Sequence, residues 1–142
     1  MRQKKNNKGF SLVELIVVIA IMIVLVAVLA PVFTKYVEQS RRATDVQNAN
    51  SIAEAVLVDA ADGTIDKDIA ATVVKADNPS AIKSAPVAKG DAVKKGGSFV
   101  YVYTKASNTV NVYISTDATE ANADTTYDLA TEEGAKAYKD KQ

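Results

Sequence analysis

Few side chains in this sequence can do covalent chemistry. It has no Cys and no His. That excludes a disulfide framework, a thiol nucleophile, a zinc cluster and any triad that needs imidazole. The acids form no recognisable catalytic pair, and nothing calls for a cofactor. One carboxylate stands out by its place. Glu14 sits at the head of an apolar run whose 19 residues from Leu15 to Phe33 carry no charge. A carboxylate inside a membrane segment costs about 2.5–3.5 kcal/mol on insertion scales, so such a residue points to a function.

The run must be placed before Glu14 can be read. Ile, Val, Leu and Ala fill it all round, with no polar stripe, which requires lipid or the interior of a bundle. As a helix, Phe10 to Phe33 would reach about 36 Å, enough for a bilayer core. Arg2, Lys4, Lys5 and Lys8 precede it without an acid among residues 1–9. This order predicts a cytoplasmic N-terminus and an exported C-terminal part, although Lys35, Arg41 and Arg42 follow the run. A plain secretory signal has a shorter apolar core of about 7–15 residues. Here the small-residue site Val28-Leu29-Ala30 is followed by Pro31, a poor residue after a cleavage point. A plain signal anchor leaves Glu14 without a role.

Lys8-Gly9-Phe10-Ser11-Leu12-Val13-Glu14-Leu15 resembles the processing signal of type IV pilins and of the type II secretion and competence pseudopilins. The resemblance implies a cut after Gly9 by a prepilin peptidase and methylation of the new N-terminal Phe10. Glu14 then stands where the family carries its Glu, and Pro31 where many type IV pilins carry a Pro. The detailed likeness runs over about residues 8–60. It implies a pilin-like α+β fold, a long N-terminal helix (about 10–61) against a small antiparallel β-sheet head. It also implies self-association into a helical homopolymer. The implied partners are the peptidase, an assembly ATPase, a membrane platform protein and the cytoplasmic membrane. In such a polymer Glu14 could pair with the Phe10 amine of a neighbour and set axial register. Pro31 would kink the helix, because it removes one hydrogen bond and crowds the turn before it.

The expected organisation is a leader (1–9), an apolar half-helix (10–33), an amphipathic half-helix (34–62) and a head (63–142). In the second half-helix Val46, Ala49, Ile52, Ala53, Val56, Leu57 and Ala60 recur at three- and four-residue steps. Glu38, Arg41, Arg42, Asp45, Glu54 and Asp59 fall among the other positions. The Arg41-Arg42 pair reads as a solvated face, or as a contact to an acidic neighbour. Asp62-Gly63 marks the stop. Ile65, Ile69 and Val73 suggest a short helix. Ser98–Thr104 and Thr109–Ser115 alternate as two strands of a hairpin, about 98–115, with Tyr127 to Ala130 as a candidate third strand. Thr131–Lys141 suits a helix by its charge order, against which Gly134 counts.

Two further groups of charged residues are candidate sites. Asp117, Glu120, Asp124 and Asp128 offer oxygen ligands of the kind Ca²⁺ takes, as in the acidic loop of major pseudopilins, but in no known calcium-loop spacing. Lys94-Lys95 is the one candidate for contact with nucleic acid in a head with few basic clusters, which disfavours DNA as a partner. The chain also lacks the C-terminal disulfide of many Gram-negative pilins, so its tail needs another clamp; the lack fits a Gram-positive, clostridial-type source. Three functions fit the sequence to different degrees. The first is a pilus subunit serving adhesion, surface motility or biofilm formation. The second is a pseudopilin of secretion or competence. The third, an enzyme anchored by a helix, is disfavoured by the missing residue types.

Overall fold

The computed structural model describes residues 9–93, 95–116 and 123–141. The chain forms two compact units, Met1–Tyr36 and Val37–Gln142. Helix α1, Leu12–Ala61, contributes to both. Four strands follow: β1 (Ile69–Val73), β2 (Ser98–Thr104), β3 (Thr109–Ser115) and β4 (Ala123–Asp124). Helix α2, Glu132–Asp140, comes last. The sheet is antiparallel throughout, in the order β1-β2-β3-β4. The fold is therefore α+β, a long N-terminal helix packed on a small antiparallel sheet.

The core of the second unit follows from two periodicities. Alternation along β2 and β3 sends Phe99, Tyr101, Tyr103, Val112 and Ile114 to one face, where all five are buried. The helical step of three and four residues brings Ala49, Ile52 and Val56 against them. Burying each large side chain contributes roughly 1.5–3 kcal/mol. Val46, Ala53, Leu57 and Ala60 line the edge of this core, half-buried.

Three expectations from the sequence are corrected. Ile69 to Val73 is a strand, not a helix. Its β-branched ends pair with Tyr103 and Val100 of β2, and the register shifts between them. The segment from Tyr127 to Ala130 is not a strand. The sheet gains β1 on one side and the two-residue β4 on the other. Arg42 is not on a solvated face. It is buried, while Arg41 keeps 42% of its side chain exposed and pairs with Glu38.

Arg42 belongs to a polar cluster that joins three distant stretches of chain. The Asp45 carboxylate, fully buried, accepts from the Lys89 N–H (2.7 Å), the Gly90 N–H (2.7 Å) and the Tyr138 hydroxyl (2.8 Å). The Arg42 guanidinium donates to Asp91 Oδ1 at 2.7 Å and to the carbonyls of Lys139 and Lys141. It thus satisfies backbone acceptors at the end of α2, where a cation also suits the helix dipole. Arg42 in turn holds the Asp91 carboxyl below the usual carboxylate range. Glu38 accepts from the Asp91 N–H at 2.6 Å. Lys141 closes the ring, its ammonium on the Ala92 carbonyl and 5.5 Å from the Tyr127 ring centroid.

This cluster is the clamp that the missing disulfide leaves to be found. At the other end of α2, the Thr131 hydroxyl accepts from the Gly134 N–H as N-cap. Gly134 is required there, because a Cβ would run into the Asp128 backbone. Asp128 fastens the preceding turn, accepting from Asn111 Nδ2 (2.6 Å), the Val112 N–H (3.0 Å) and the Ala130 N–H (3.1 Å).

Asp45→Ala leaves three donors without their acceptor, those of Gly90 and Tyr138 buried, and should destabilise the head by about 2–4 kcal/mol. Gly90→Ala should act similarly. A Cβ there would lie 2.7 Å from Arg42 Cγ, 2.8 Å from the Tyr138 hydroxyl and 2.9 Å from Asp45 Oδ2. Denaturant unfolding of the full chain in detergent, followed by tyrosine near-UV dichroism, measures both. Alkali tests the same contact. Burial, then the hydrogen bond to Asp45, pushes the Tyr138 phenol far above its usual range, and burial also raises Tyr101 and Tyr113. The folded head then keeps these protons after the unfolded chain has lost them. Their contribution is complete below the ordinary phenol value of 10.0 and fades as pH rises past it. Stability should fall above that pH, and Tyr138→Phe should flatten the fall.

Candidate functional site: the start of helix α1

Gly9 and Phe10 precede α1, and both are exposed, Phe10 at 87%. A Cβ on Gly9 would meet nothing within 4 Å. The peptide bond between them is thus open to an enzyme. Ser11 is the last residue before the helix. Its N–H donates to Glu14 Oε2 at 2.8 Å, and its carbonyl accepts from the Leu15 N–H at 3.3 Å.

Ser11-Leu12-Val13-Glu14 has the S-x-x-E form of a capping box, and the observed bond is its carboxylate half. A helix start leaves N–H groups without partners, and its dipole favours a negative charge. Glu14 meets both needs. Its carboxylate is therefore placed at the only end of the helix that welcomes it. Composition and hydropathy do not single out Ser11; the four-residue S-x-x-E pattern is the sequence signal that does.

Beyond Glu14 the helix has no polar face. Every residue from Leu12 to Phe33 is exposed. An 18-residue window of α1 has a mean hydropathy of 3.4, and none of it is buried within the chain. By length and composition this is the one helix, among the described residues, able to cross a membrane. The helix continues through Pro31, whose carbonyl accepts from the Thr34 hydroxyl at 2.9 Å. Pro31 has no N–H to offer the carbonyl of Ala27 one turn back.

Residues 4–30 match the family described as the prokaryotic N-terminal methylation motif. The chain carries a class III signal peptide, that of type IV pilins and pseudopilins. This signal supports a prepilin-like chain and points to a family of structural subunits. It implies processing by prepilin peptidase and assembly into pilus-type polymers. With the apolar helix, it fits a membrane-anchored precursor that later becomes surface-exposed. The match ends within the apolar run, so the head lies outside it. No curated protein and no solved structure matches the chain.

The other candidates gain less. Asp117, Glu120 and Lys94 lie outside the described residues. Asp124 accepts from the Thr126 N–H at 2.9 Å, and Asp128 is engaged by three N–H donors. Among the described residues no group of three or more acids is placed to hold a metal. Lys95 is exposed in a loop.

Glu14→Ala removes the acceptor from the Ser11 N–H and should cost the helix start about 0.5–2 kcal/mol. Amide exchange in detergent micelles should speed up at Leu12 to Leu15 and stay unchanged beyond Pro31. Glu14→Gln, which keeps a side-chain oxygen, should fall between the two.

Proposed function

We propose that the chain is a prepilin cut after Gly9, methylated on the amine of Phe10, and polymerised into a type IV pilus on the cell surface. The observation that carries this reading is the join of two features. A methylation motif at residues 4–30 runs directly into a helix whose apolar surface, from Leu12 to Phe33, stands exposed among the described residues. Such a surface has two resting places, lipid before assembly and the helices of other copies after it.

Glu14 gives the polymer its register. In the single chain the carboxylate rests on the Ser11 N–H. The cut creates a cationic amine at Phe10, and the amine of an incoming copy is a stronger partner than an amide N–H. Pairing neutralises two charges in an apolar interior, and an offset leaves both unpaired. Pro31 supplies a turn of α1 that lacks one hydrogen bond and can yield as copies pack. The head, exported by the same helix, would be the outer surface that serves adhesion, surface motility such as twitching, or biofilm formation. The alternative is a pseudopilin of secretion or DNA uptake, which shares the signal.

Filaments sheared from the native host decide between these. Mass spectrometry should find this chain starting at methylated Phe10 in abundant long filaments, and Glu14→Ala should abolish them while leaving the cut intact. A methylated Phe10 found only in membranes would favour the pseudopilin. A chain with its leader intact would remove the whole reading.

A further inference from the structure

Within the first unit, Met1–Tyr36, the apolar stretch has a polar residue at each end. Glu14 precedes it, and Lys35 is the first charge after it. Its 19 uncharged residues, Leu15 to Phe33, are helical and exposed throughout. At 1.5 Å per residue they reach about 29 Å, against about 30 Å of hydrocarbon in a bilayer. That length fills the hydrocarbon without drawing Glu14 into it.

The backbone sets the same limit at the helix start. Helix α1 begins at Leu12, and the Leu15 N–H reaches back to the Ser11 carbonyl. The N–H groups of Leu12, Val13 and Glu14 precede that bond and have no carbonyl one turn back within the helix. Hydrocarbon offers them no acceptor, whereas water and headgroups do. The Glu14 carboxylate is taken by the Ser11 N–H at 2.8 Å. The far end is finished differently. The Thr34 hydroxyl turns back on the Pro31 carbonyl, and an exposed Tyr36 follows Lys35. Tyr favours the headgroup level, and a Lys stem reaches out to it.

We infer that in the membrane-anchored precursor the hydrocarbon takes Leu15 to Phe33, with Glu14 at the inner headgroup level and Tyr36 at the outer. The inner side is the one that holds Arg2, Lys4, Lys5 and Lys8. Displacement by one turn is penalised at both ends. Sliding outward draws Glu14 and the open N–H groups into hydrocarbon and leaves Val32 and Phe33 in water. Sliding inward draws in Lys35 and leaves Leu15 and Ile16 in water. The insertion cost of a carboxylate in a bilayer core therefore does not fall on the precursor. It falls on the polymer, where the stems are apolar and the Phe10 amine of a neighbour is the partner at hand. Glu14 thus leaves insertion unhindered and acts at assembly. This placement deepens the reading above and rests on its membrane-anchored precursor, not on its filament.

The chain has no Cys and no Trp, so single probes report position. In membrane vesicles from cells expressing the full chain, Ser11→Cys and Val13→Cys should react with a water-soluble maleimide from the cytoplasmic face. Tyr36→Cys should react from the outer face. Each should be at least tenfold faster than Ala20→Cys or Val26→Cys. The full chain is also reconstituted in vesicles of phosphatidylglycerol and phosphatidylethanolamine. There, bromine near the acyl-chain ends should quench Val24→Trp at least twofold more than Val13→Trp, and bromine near the glycerol should reverse the order. Val13→Cys as slow as Ala20→Cys places Glu14 in hydrocarbon and overturns the inference. Val17→Cys as fast as Val13→Cys moves the boundary along the helix and overturns it as well. If brominated lipid leaves Val24→Trp unquenched, protein rather than lipid covers the helix, and the inference falls. The probes need no filament, so the two failures separate. If the placement holds and the unaltered chain forms no filament, the polymer reading falls alone. If methylated filaments form while Val13→Cys stays unreactive in the membrane, the placement falls alone.

Discussion

The head depends on one buried carboxylate. Asp45 sits on the helix face that packs the core, and a lone charge there would be costly. It is tolerated because two backbone N–H groups and a phenol converge on it. Those donors come from a loop 44 and 45 residues away and from a helix 93 residues away. Moving any one of them leaves the charge short of a partner. The carboxylate therefore fixes the positions of the loop, α2 and α1 together. Gly90 shows how tight the fit is, since the space beside it has no room for a methyl group.

Two more acids extend the principle along the helix. Glu38 accepts from the Asp91 N–H, and Asp59, also buried, accepts from the Ser80 N–H at 2.8 Å. Glu38, Asp45, Ile52 and Asp59 are seven residues apart, and a heptad drifts only about 20° around a straight helix. One stripe thus carries three carboxylates and one core isoleucine. The segment from residue 75 to 93 has little regular structure and few large apolar groups. Backbone N–H groups are what it has to offer, and the stripe supplies acceptors for them. A polar stripe does for this segment what apolar packing does for the hairpin.

That stripe explains which parts of the fold were legible in the sequence. The long helix was legible because its evidence is local: an unbroken apolar run, then apolar residues at helical steps. The hairpin was legible because Phe99, Tyr101 and Tyr103 alternate over a short polar turn. Strand β1 was not, because its identity comes from pairing with β2, some thirty residues on in the chain, and Ile65, Ile69 and Val73 imitate a helical step by coincidence. The clamp was not legible because periodicity sorts residues by hydropathy and sends every Asp to water. Only the seven-residue spacing marks Asp45 and Asp59 as companions of Ile52. Glu14 was legible as an anomaly in an apolar run, whereas its bond to Ser11 needed the pattern of a helix cap.

The two units set opposite demands, and one helix meets both. Its first half is apolar on all sides and is exposed among the described residues. At about 25 cal/mol per Å² of apolar surface, leaving water is a large driving force, and it carries no direction. It would gather stems in any register. A directional term must choose among the registers, and the carboxylate of Glu14, seated on the Ser11 N–H at the helix start, is the one that the apolar half of the helix supplies. The same group serves the single chain as a helix cap and would offer assembled stems a fixed point, because a carboxylate held in an apolar interior needs a partner at one position and no other.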